Sequence, residues 1–497
     1  MCPVIFWEVI KAINLNQLLE KAVRNNTERI ALISNNQKIT YGQLNCAVNA
    51  VARLLKDSGV GKGDKVAIML PNIPEFVYSY FGAVSNGAVA VPLNTSSTSY
   101  ELTYLLNNSD AKILITLSSH VKRYEEARAD LSSCHRVIAV DLLNEDGRLI
   151  AEACGNRLSF SSVDIDPEDP AVMIYTAGLT GKPLGAVLTH RNLANQARVT
   201  QAITQRKPGD VALAVIPLFH TFGAMTNMLL ELVAGGAILM MDRLTMDSLF
   251  SAIEREKITY IAAVPRLYLG MILYEKAAKF DVSSLNLCIT GGAPMPPDFM
   301  LEFEKKFGVR LLEGYGLTEA SPVCSFNRFD TVYKPGSIGT PIMGVEIKIV
   351  DENGRELPRN TLGELTVRGD NVMQGYYKNE EATAAVIRNG WLYTGDLGRM
   401  DEEGYIFLTG VKKRMIITSG FNVYPREVET VVNMHPAVKN VRVSGKADLM
   451  RGEIVKAHIV LNEGQKPDEK EIIRHCKVYL SPYKVPREVE FVQKLSE

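Results

Sequence analysis

The sequence predicts an α/β fold, and three observations carry that expectation. Between residues 65 and 313, short apolar runs alternate with amphipathic stretches of helical period. After Tyr333 the pattern changes to short strands separated by turns, and after the basic stretch Lys412-Lys413-Arg414 an α+β pattern runs to the end. Apolar runs alternating with helices imply parallel sheets covered on both faces.

In chain order, the apolar runs 65–70, 89–93, 112–116, 136–140, 171–175, 211–216, 258–264 and 285–289 read as buried strands. The stretches 74–85, 98–107, 191–203 and 247–257 read as helices, and Thr98 with Glu101 forms a capping box at the start of one of them. Segments 338–350, 363–368 and 405–408, separated by turns such as Asp351-Glu352-Asn353-Gly354 and Asp401-Glu402-Glu403-Gly404, predict a small β-rich unit. No fixed-period repeat occurs, which argues against a solenoid.

A chain of 497 residues suits about three domains or large subdomains. With 46% hydrophobic and 22% charged residues, collagenous, disordered and disulfide-scaffold classes are excluded. Lys+Arg 55 against Asp+Glu 56 lacks the basic surplus of a protein that coats nucleic acid. The charge is unevenly placed: residues 412–497 hold sixteen Lys+Arg and eleven Asp+Glu, a surplus of +5, so residues 1–411 carry −6 within a total of −1. A basic small domain facing an acidic larger one suits a polyanion held between them, and a solvated face without a ligand is the alternative. The seven cysteines are scattered without a C-x-x-C pair and read as reduced, buried thiols. The N-terminus lacks a basic n-region, and the most span-like stretch, 224–241, holds Asn227, Glu231 and Gly235-Gly236, so it reads as helix, turn and buried strand. These features place the protein in the cytoplasm without a membrane span and leave peripheral membrane contact open.

The strongest chemical signal is Ile174-Tyr175-Thr176-Ala177-Gly178-Leu179-Thr180-Gly181-Lys182-Pro183-Leu184-Gly185. A buried strand ends in a loop of glycines, hydroxyls and a lysine, the composition of a phosphate cradle, because glycines let backbone N–H groups approach an anion. It is not a Walker A loop, since Pro183 follows Gly181-Lys182; nor do residues 314–319 complete a G-x-G-x-x-G fingerprint. No G-x-S-x-G element follows a strand, which leaves a serine hydrolase without support.

The loop is followed in order by Pro217-Leu218-Phe219-His220, Gly291-Gly292-Ala293-Pro294, Glu313-Gly314-Tyr315-Gly316-Leu317-Thr318-Glu319, Tyr393-Thr394-Gly395-Asp396 and Gly420-Phe421-Asn422-Val423-Tyr424-Pro425-Arg426-Glu427-Val428-Glu429. In these motifs the chain resembles the acyl-adenylate-forming (AMP-binding) superfamily, in its acyl-CoA synthetase branch. The resemblance implies a large N-terminal domain, 1–411, of two doubly wound α/β subdomains and a small β-rich subdomain. A small mobile α+β domain, 412–497, would follow. It implies ATP-dependent activation of a carboxylate to acyl-AMP, then transfer of the acyl group to CoA. By the same resemblance Thr176 and Glu319 approach Mg²⁺, and hard oxygen ligands suit that ion. Thr180, Gly181, Gly316 and Thr318 contact the nucleotide; Tyr315 stacks on adenine, with Gly291, Gly292 and Ala293 lining the base pocket. Asp396 accepts hydrogen bonds from ribose, and His220 sits beside the acyl carboxylate and phosphate. Lys413 falls at the hinge, Gly420 beside the pantetheine arm of CoA, and Arg451-Gly452-Glu453 fits the same CoA-using branch.

The chain departs from the family pattern Y-T-S-G-T-T-G-K-P-K-G at Ala177, Leu179 and Leu184, and Val411 and Arg414 stand where Arg and Asp are usual. Lys182 is expected to take over part of the missing loop lysine's work on the phosphates. The sequence given ends Phe491-Val492-Gln493-Lys494-Leu495-Ser496-Glu497, whereas family members typically continue into P-x-x-x-x-G-K, whose lysine serves adenylation. The expectation is a C-terminally shortened copy of a working ligase, the alternative a degenerate member that binds AMP and acyl groups without efficient turnover. The expected substrates are a medium- or long-chain fatty acid, ATP and CoA. Met225, Met228, Leu229 and Leu230 are candidates for an acyl tunnel, and small Gly223 and Ala224 permit a long one. An aryl acid such as a coumarate stays open, as does a dimer.

Overall fold

The computed structural model describes residues 13–143, 160, 163–177, 182–241, 244–329, 331–411, 415–448, 450–466 and 468–495. A seven-stranded sheet runs, in spatial order, Gly375–Tyr376, Pro183–Thr189, Pro170–Ala177, Val89–Pro92, Lys65–Met69, Ala111–Thr116 and Arg136–Ala139. A nine-stranded sheet runs Thr340–Pro341, Val323–Phe326, Leu311–Gly316, Leu287–Thr290, Tyr260–Ala263, Val211–Ala214, Ala237–Met240, Ile30–Ser34 and Gln37–Thr40. The inner strands of both pair in parallel; antiparallel partners close both edges of the nine-stranded sheet and one edge of the seven-stranded sheet, whose other edge, Arg136–Ala139, is parallel.

The continuous apolar runs follow from burial on both faces. Along Lys65–Met69, Val66 and Ile68 join one core cluster while Ala67 and Met69 join another. Along Tyr260–Ala263, Tyr260 and Ala262 share the first cluster, whereas Ile261 and Ala263 join a third. Side chains alternate sides with period two, so a strand between two cores has no position left for a polar residue. The shared cluster, with Phe76, Tyr80, Leu44 and Leu193, lies between the two sheets and includes the helices Tyr41–Asp57, Pro74–Ser85 and His190–Thr204. Every residue of Pro74–Ser85 except Glu75 is buried, and Pro74 starts that helix at the position where a missing N–H costs nothing.

Residues 224–241 form helical turns that end at Gly235 and continue into the buried strand Ala237–Met240. Gly235 has φ +73°, and a Cβ there would lie 2.7 Å from the Asn26 amide. Among the described residues no helix is long and apolar enough to cross a membrane. Cys134, Cys288, Cys324 and Cys476 are buried, unpaired thiols, and Cys46 is partly buried.

A third sheet of Val345–Val350, Gly363–Gly369, Trp391–Met400, Ile387–Arg388 and Ile406–Val411 is the β-rich unit. The chain leaves it at Val411 and enters a fourth sheet at Ile416: Phe421–Val423, Ile416–Thr418, Gly452–Leu461, Val438–Asp448 and the parallel strand Glu488–Phe491. The helices Pro425–Asn433 and Glu469–Tyr479 cover this sheet with Val428, Val432, Ile472 and Cys476. The structure adds elements that the apolar runs did not reveal. Ile30–Ser34 and Gln37–Thr40 extend the nine-stranded sheet, and Pro183–Thr189 pairs back on the loop strand. The segment 338–350 divides into two strands in different sheets, turned at Gly344, where φ is +80°.

Deep in the body, Arg206 donates to both oxygens of Glu231, at 2.8 and 3.2 Å, and lies 3.4 Å from Asp210. Burial pushes the Glu231 carboxyl up, and Arg206 opposes that shift. Removing one member of a buried pair leaves an uncompensated charge, at a cost of about 3–5 kcal/mol. Arg206→Leu is therefore expected to lower the unfolding free energy of the N-terminal body by about that amount, read by urea unfolding.

Candidate active site

The chemistry-bearing residues gather beyond the carboxyl ends of the parallel strands, the place where open α/β sheets form a crevice. Thr176 ends Pro170–Ala177; Gly291, Gly292 and Ala293 follow Leu287–Thr290; Tyr315 and Gly316 end Leu311–Gly316, and Thr318 and Glu319 form the next turn. With His220, Asp396 and Gly420 they line one cavity of about 630 Å³. Of the described residues expected from the sequence, Lys182 falls outside that wall, and the acyl-tunnel candidates Met225, Met228, Leu229 and Leu230 are buried in the central core rather than lining it. Thr180, Gly181 and Lys413 lie outside the described residues. Lys182 is exposed and lines a neighbouring cavity of about 580 Å³, its ammonium 5.8 Å from the centre of the Tyr104 ring.

Glu319 accepts hydrogen bonds from Thr176 Oγ1 at 3.2 Å and Tyr376 OH at 2.7 Å, so its carboxylate is fixed by two hydroxyls. An anionic oxygen beside a threonine hydroxyl is a donor set that fits a hard divalent cation. Tyr315 donates to Asp396 Oδ2 at 2.5 Å, which joins the motif of residues 313–319 to that of residues 393–396. Burial and the adjacent carboxylate together push the Tyr315 phenol far up, so it stays a donor. Asp396 pairs across the hairpin with Val411.

His220 faces both cavities, and burial lowers its imidazole to about 4, so it is neutral near pH 7. Its Nδ1 accepts the Phe222 N–H at 3.3 Å, which assigns the ring proton to Nε2. The Thr221 hydroxyl donates to the Thr318 hydroxyl at 3.1 Å, tying the His220 segment to the Glu319 turn. At Gly291 a Cβ would lie 3.2 Å from Phe222 Cζ, so the glycine lets that ring stand against the cavity wall.

From the small domain, Gly420, Asn422 and Tyr424 enter the same wall. Gly420 has φ +85°, and a Cβ on it would come within 2.7 Å of Val264 Cγ1, so only glycine fits this approach. Leu184 pairs with Thr176 across the hairpin and packs, partly buried, on the central core.

Sequence reasoning missed Tyr376, whose Gly375-Tyr376 strand carries no motif by itself, and Glu313, which was seen only as the start of the motif containing Tyr315. Glu313 is 5% exposed, and burial raises its carboxyl to about 7, opposed by a long contact of 3.4 Å from the Met295 N–H. The folded state therefore keeps this proton up to about pH 7, whereas the unfolded chain releases it near 4.5. Between those values the native state binds more protons, so its stability falls as pH rises, and the full penalty stands above about pH 7. Glu313→Gln removes the penalty. It is expected to raise the thermal midpoint at pH 8, by at most about 3 kcal/mol of stability, and to change it little at pH 4.5. Calorimetry at the two pH values checks the difference.

This geometry can be set beside known proteins. The model of the AMP-binding enzyme family matches residues 19–377, and that of the AMP-binding enzyme C-terminal domain matches residues 427–497. A long-chain-fatty-acid–CoA ligase of Bacillus subtilis (strain 168) is 34% identical, over 97% of this chain and 91% of its own length. A feruloyl-CoA synthase of Amycolatopsis sp. is 33% identical, over 92% of this chain and 90% of its own. Among solved structures, an o-succinylbenzoate CoA synthetase from Bacillus subtilis, a double mutant bound to its product analogue OSB-NCoA, superimposes with a TM-score of 0.86. It is 30% identical, and the match covers 96% of this chain and 95% of that one. On these matches, which span both the larger body and the small domain, the chain belongs to the acyl-adenylate-forming, AMP-binding enzyme family.

Proposed function

We propose that the protein is an AMP-forming acid–CoA ligase. The observation that carries this is the convergence of Thr176–Glu319, Tyr315–Asp396 and neutral His220 on one cavity, into which the small domain inserts Gly420, Asn422 and Tyr424. In the first step the acid's carboxylate oxygen attacks the α-phosphorus of ATP and the P–O bond to pyrophosphate breaks. In the second, the CoA thiolate attacks the acyl carbon and AMP leaves. Thr176 and Glu319 would hold Mg²⁺, which neutralises phosphate charge when bound. Asp396 accepts from the ribose hydroxyls, Tyr315 covers the base, and the His220 Nε2–H donates to an oxygen of the reacting carboxylate, where preorganised donors lower the barrier.

The second cavity, between the domains, meets the first at Thr176, His220, Thr318 and Asn422 and suits the arm of CoA. Its exposed Lys182 then faces an anionic substrate, and the +5 charge of residues 412–497 draws the same polyanion. The domain boundary and hinge fall at 411–413 in this reading, where the chain passes from the third sheet to the fourth. Scattered reduced thiols support a cytoplasmic location.

The acid occupies the part of the first cavity lined by Ile203, Phe222, Ile289, Val323 and Phe326, an apolar wall that suits a medium- or long-chain fatty acid. An aryl acid is the second reading, favoured by one observation. The Thr200 and Thr290 hydroxyls line that cavity, are buried and have no hydrogen-bond partner among the described residues. A hydroxyl on the acid would satisfy them, whereas an alkyl tail leaves them unpaired.

Pyrophosphate exchange and CoA thioester formation, measured with dodecanoate, hexadecanoate and 4-hydroxycinnamate, are expected to show turnover with at least one acid. AMP binding without exchange, and without thioester formation from a synthetic acyl-AMP, would instead make it a binding protein. Asp396→Ala is expected to weaken AMP binding about 10–100-fold in calorimetry, the loss of charge-assisted hydrogen bonds of about 1.5–3 kcal/mol.

A further inference from the structure

At the seam between the N-terminal body and the small domain lies a buried cluster of Glu101, Lys484, Glu427 and Ser481, each 1–8% exposed. Lys484 Nζ donates to Glu101 Oε1 at 2.8 Å and to Glu427 Oε1 at 2.6 Å. Glu101 Oε2 accepts from Ser481 Oγ at 2.6 Å and from the Thr98 N–H at 3.0 Å. Thr98 Oγ1 also donates to the Tyr479 carbonyl at 3.0 Å, and the Tyr100 and Tyr479 rings meet edge to face with centroids 5.3 Å apart.

The cluster is divided unequally between the two bodies. Glu427 and Lys484 both belong to the small domain, so their pair survives if that domain rotates. Glu101 belongs to the helix Ser99–Ser109 of the larger body, and its contacts with Lys484 and Ser481 are the ones that rotation breaks. Beside Lys484, the Tyr483 ring stacks on Phe421 at 4.5 Å. Phe421 and Asn422 line the second cavity next to Thr176 and His220. A carboxylate on the larger body is thus linked, through Lys484 and Tyr483, to the loop that enters the active site.

We propose that Glu101 is a positioning residue for the thioester step, a latch that holds the small domain with its loop of residues 420–424 in the cavity. The proposal rests on the acid–CoA ligase reading for the name of the step, but not for the hold itself. The hold depends on an acceptor-only group: three donors, Thr98 N–H, Ser481 Oγ–H and the Lys484 ammonium, converge on two oxygens.

Glu101→Gln isolates this function. Glutamine serves equally well at the third position of a capping box, so the helix keeps its cap. An amide has one acceptor oxygen, and once that oxygen takes the Thr98 N–H, its NH₂ group faces the Lys484 ammonium. The Lys484 contact across the seam is lost and only the Ser481 hydroxyl still reaches the remaining oxygen, while Lys484 keeps Glu427 and no charge is left unpaired. Labels on Lys122→Cys and Lys470→Cys, both exposed, report domain placement by pulsed electron spin distance measurement. One narrow distance distribution is expected for the parent protein, and a second, substantial population for Glu101→Gln, with a smaller shift in the same direction for Ser481→Ala. In single turnover from synthetic acyl-AMP and CoA, Glu101→Gln should slow thioester formation about tenfold. Acyl-AMP affinity and the thermal midpoint are expected to stay as in the parent, which separates positioning from folding. An unchanged distance distribution in Glu101→Gln overturns the latch, whatever the rate does. If the parent protein makes no thioester, the ligase reading fails, and the distances still decide the hold.

Discussion

The site depends on one carboxylate that two sheets share. Glu319 stands on the turn leaving the nine-stranded sheet, and both hydroxyls that fix it, on Thr176 and Tyr376, come from the seven-stranded sheet. The Glu319 carbonyl also accepts the Met373 N–H at 2.8 Å. Nearby, Gln196 donates to the Val323 carbonyl at 2.8 Å, and Asn192 donates to the carbonyls of Asp370 and Val372 at 2.7 and 3.1 Å. The Glu319 contacts lie at the carboxyl end of the strand Pro170–Ala177, and the Asn192 contacts lie toward its amino end, where Thr189 pairs with Pro170. The shared core between the sheets is largely apolar, and apolar packing is non-directional and cannot by itself set the register of one strand edge against another. The hydrogen bonds supply that register, and the proposed ligase chemistry needs it, since misplacement by about 1 Å is costly in a catalytic site.

How much of this is legible in the sequence depends on whether a residue's chemistry is local. Thr176, His220, Tyr315, Glu319 and Asp396 each sit inside a short local motif, and the resemblance of those motifs, in their order, to the family's pattern is what singled them out. Tyr376 does not: its meaning lies in a hydrogen bond to a residue 57 positions away, and its strand is two residues long. Glu101 is half legible. Its spacing from Thr98 predicts the capping box that the structure contains, yet nothing local indicates Lys484, 383 positions further on. Lys182 shows how far motif position alone reaches. Its place after the glycine loop suggests phosphate contact, but the hairpin Pro170–Ala177 with Pro183–Thr189 carries it to the second cavity. Many strands buried on both faces were readable, but Ile30–Ser34, with Leu32 in one core cluster and Ile33 in another, was not. The hairpin of Ile30–Ser34 and Gln37–Thr40 is harder because Gln37 and Lys38 are exposed at the sheet's edge.

The uneven charge of the chain and the buried cluster at the seam act over different ranges. The −6 and +5 of the two parts attract at long distance, but exposed charges are screened beyond about 8–10 Å at physiological salt. Such a field brings the domains together without choosing an orientation. Orientation comes from short contacts that tolerate little rotation: Gly420 against Val264, Tyr483 on Phe421, and the three donors on Glu101.

A domain that must leave and return needs an interface that is specific without being strongly apolar. A large hydrophobic seam would hold the small domain in one place, because its burial is not recovered on rotation. A polar seam behaves differently, since water takes over each hydrogen bond that breaks, and the net difference is small. Keeping Lys484 paired with Glu427 in either orientation lowers the cost further: only one carboxylate must be rehydrated, and Glu101 keeps its Thr98 N–H while it waits. The arrangement thus separates two tasks. The ammonium is neutralised permanently within the small domain, and the larger body contributes the acceptor that decides where that domain rests.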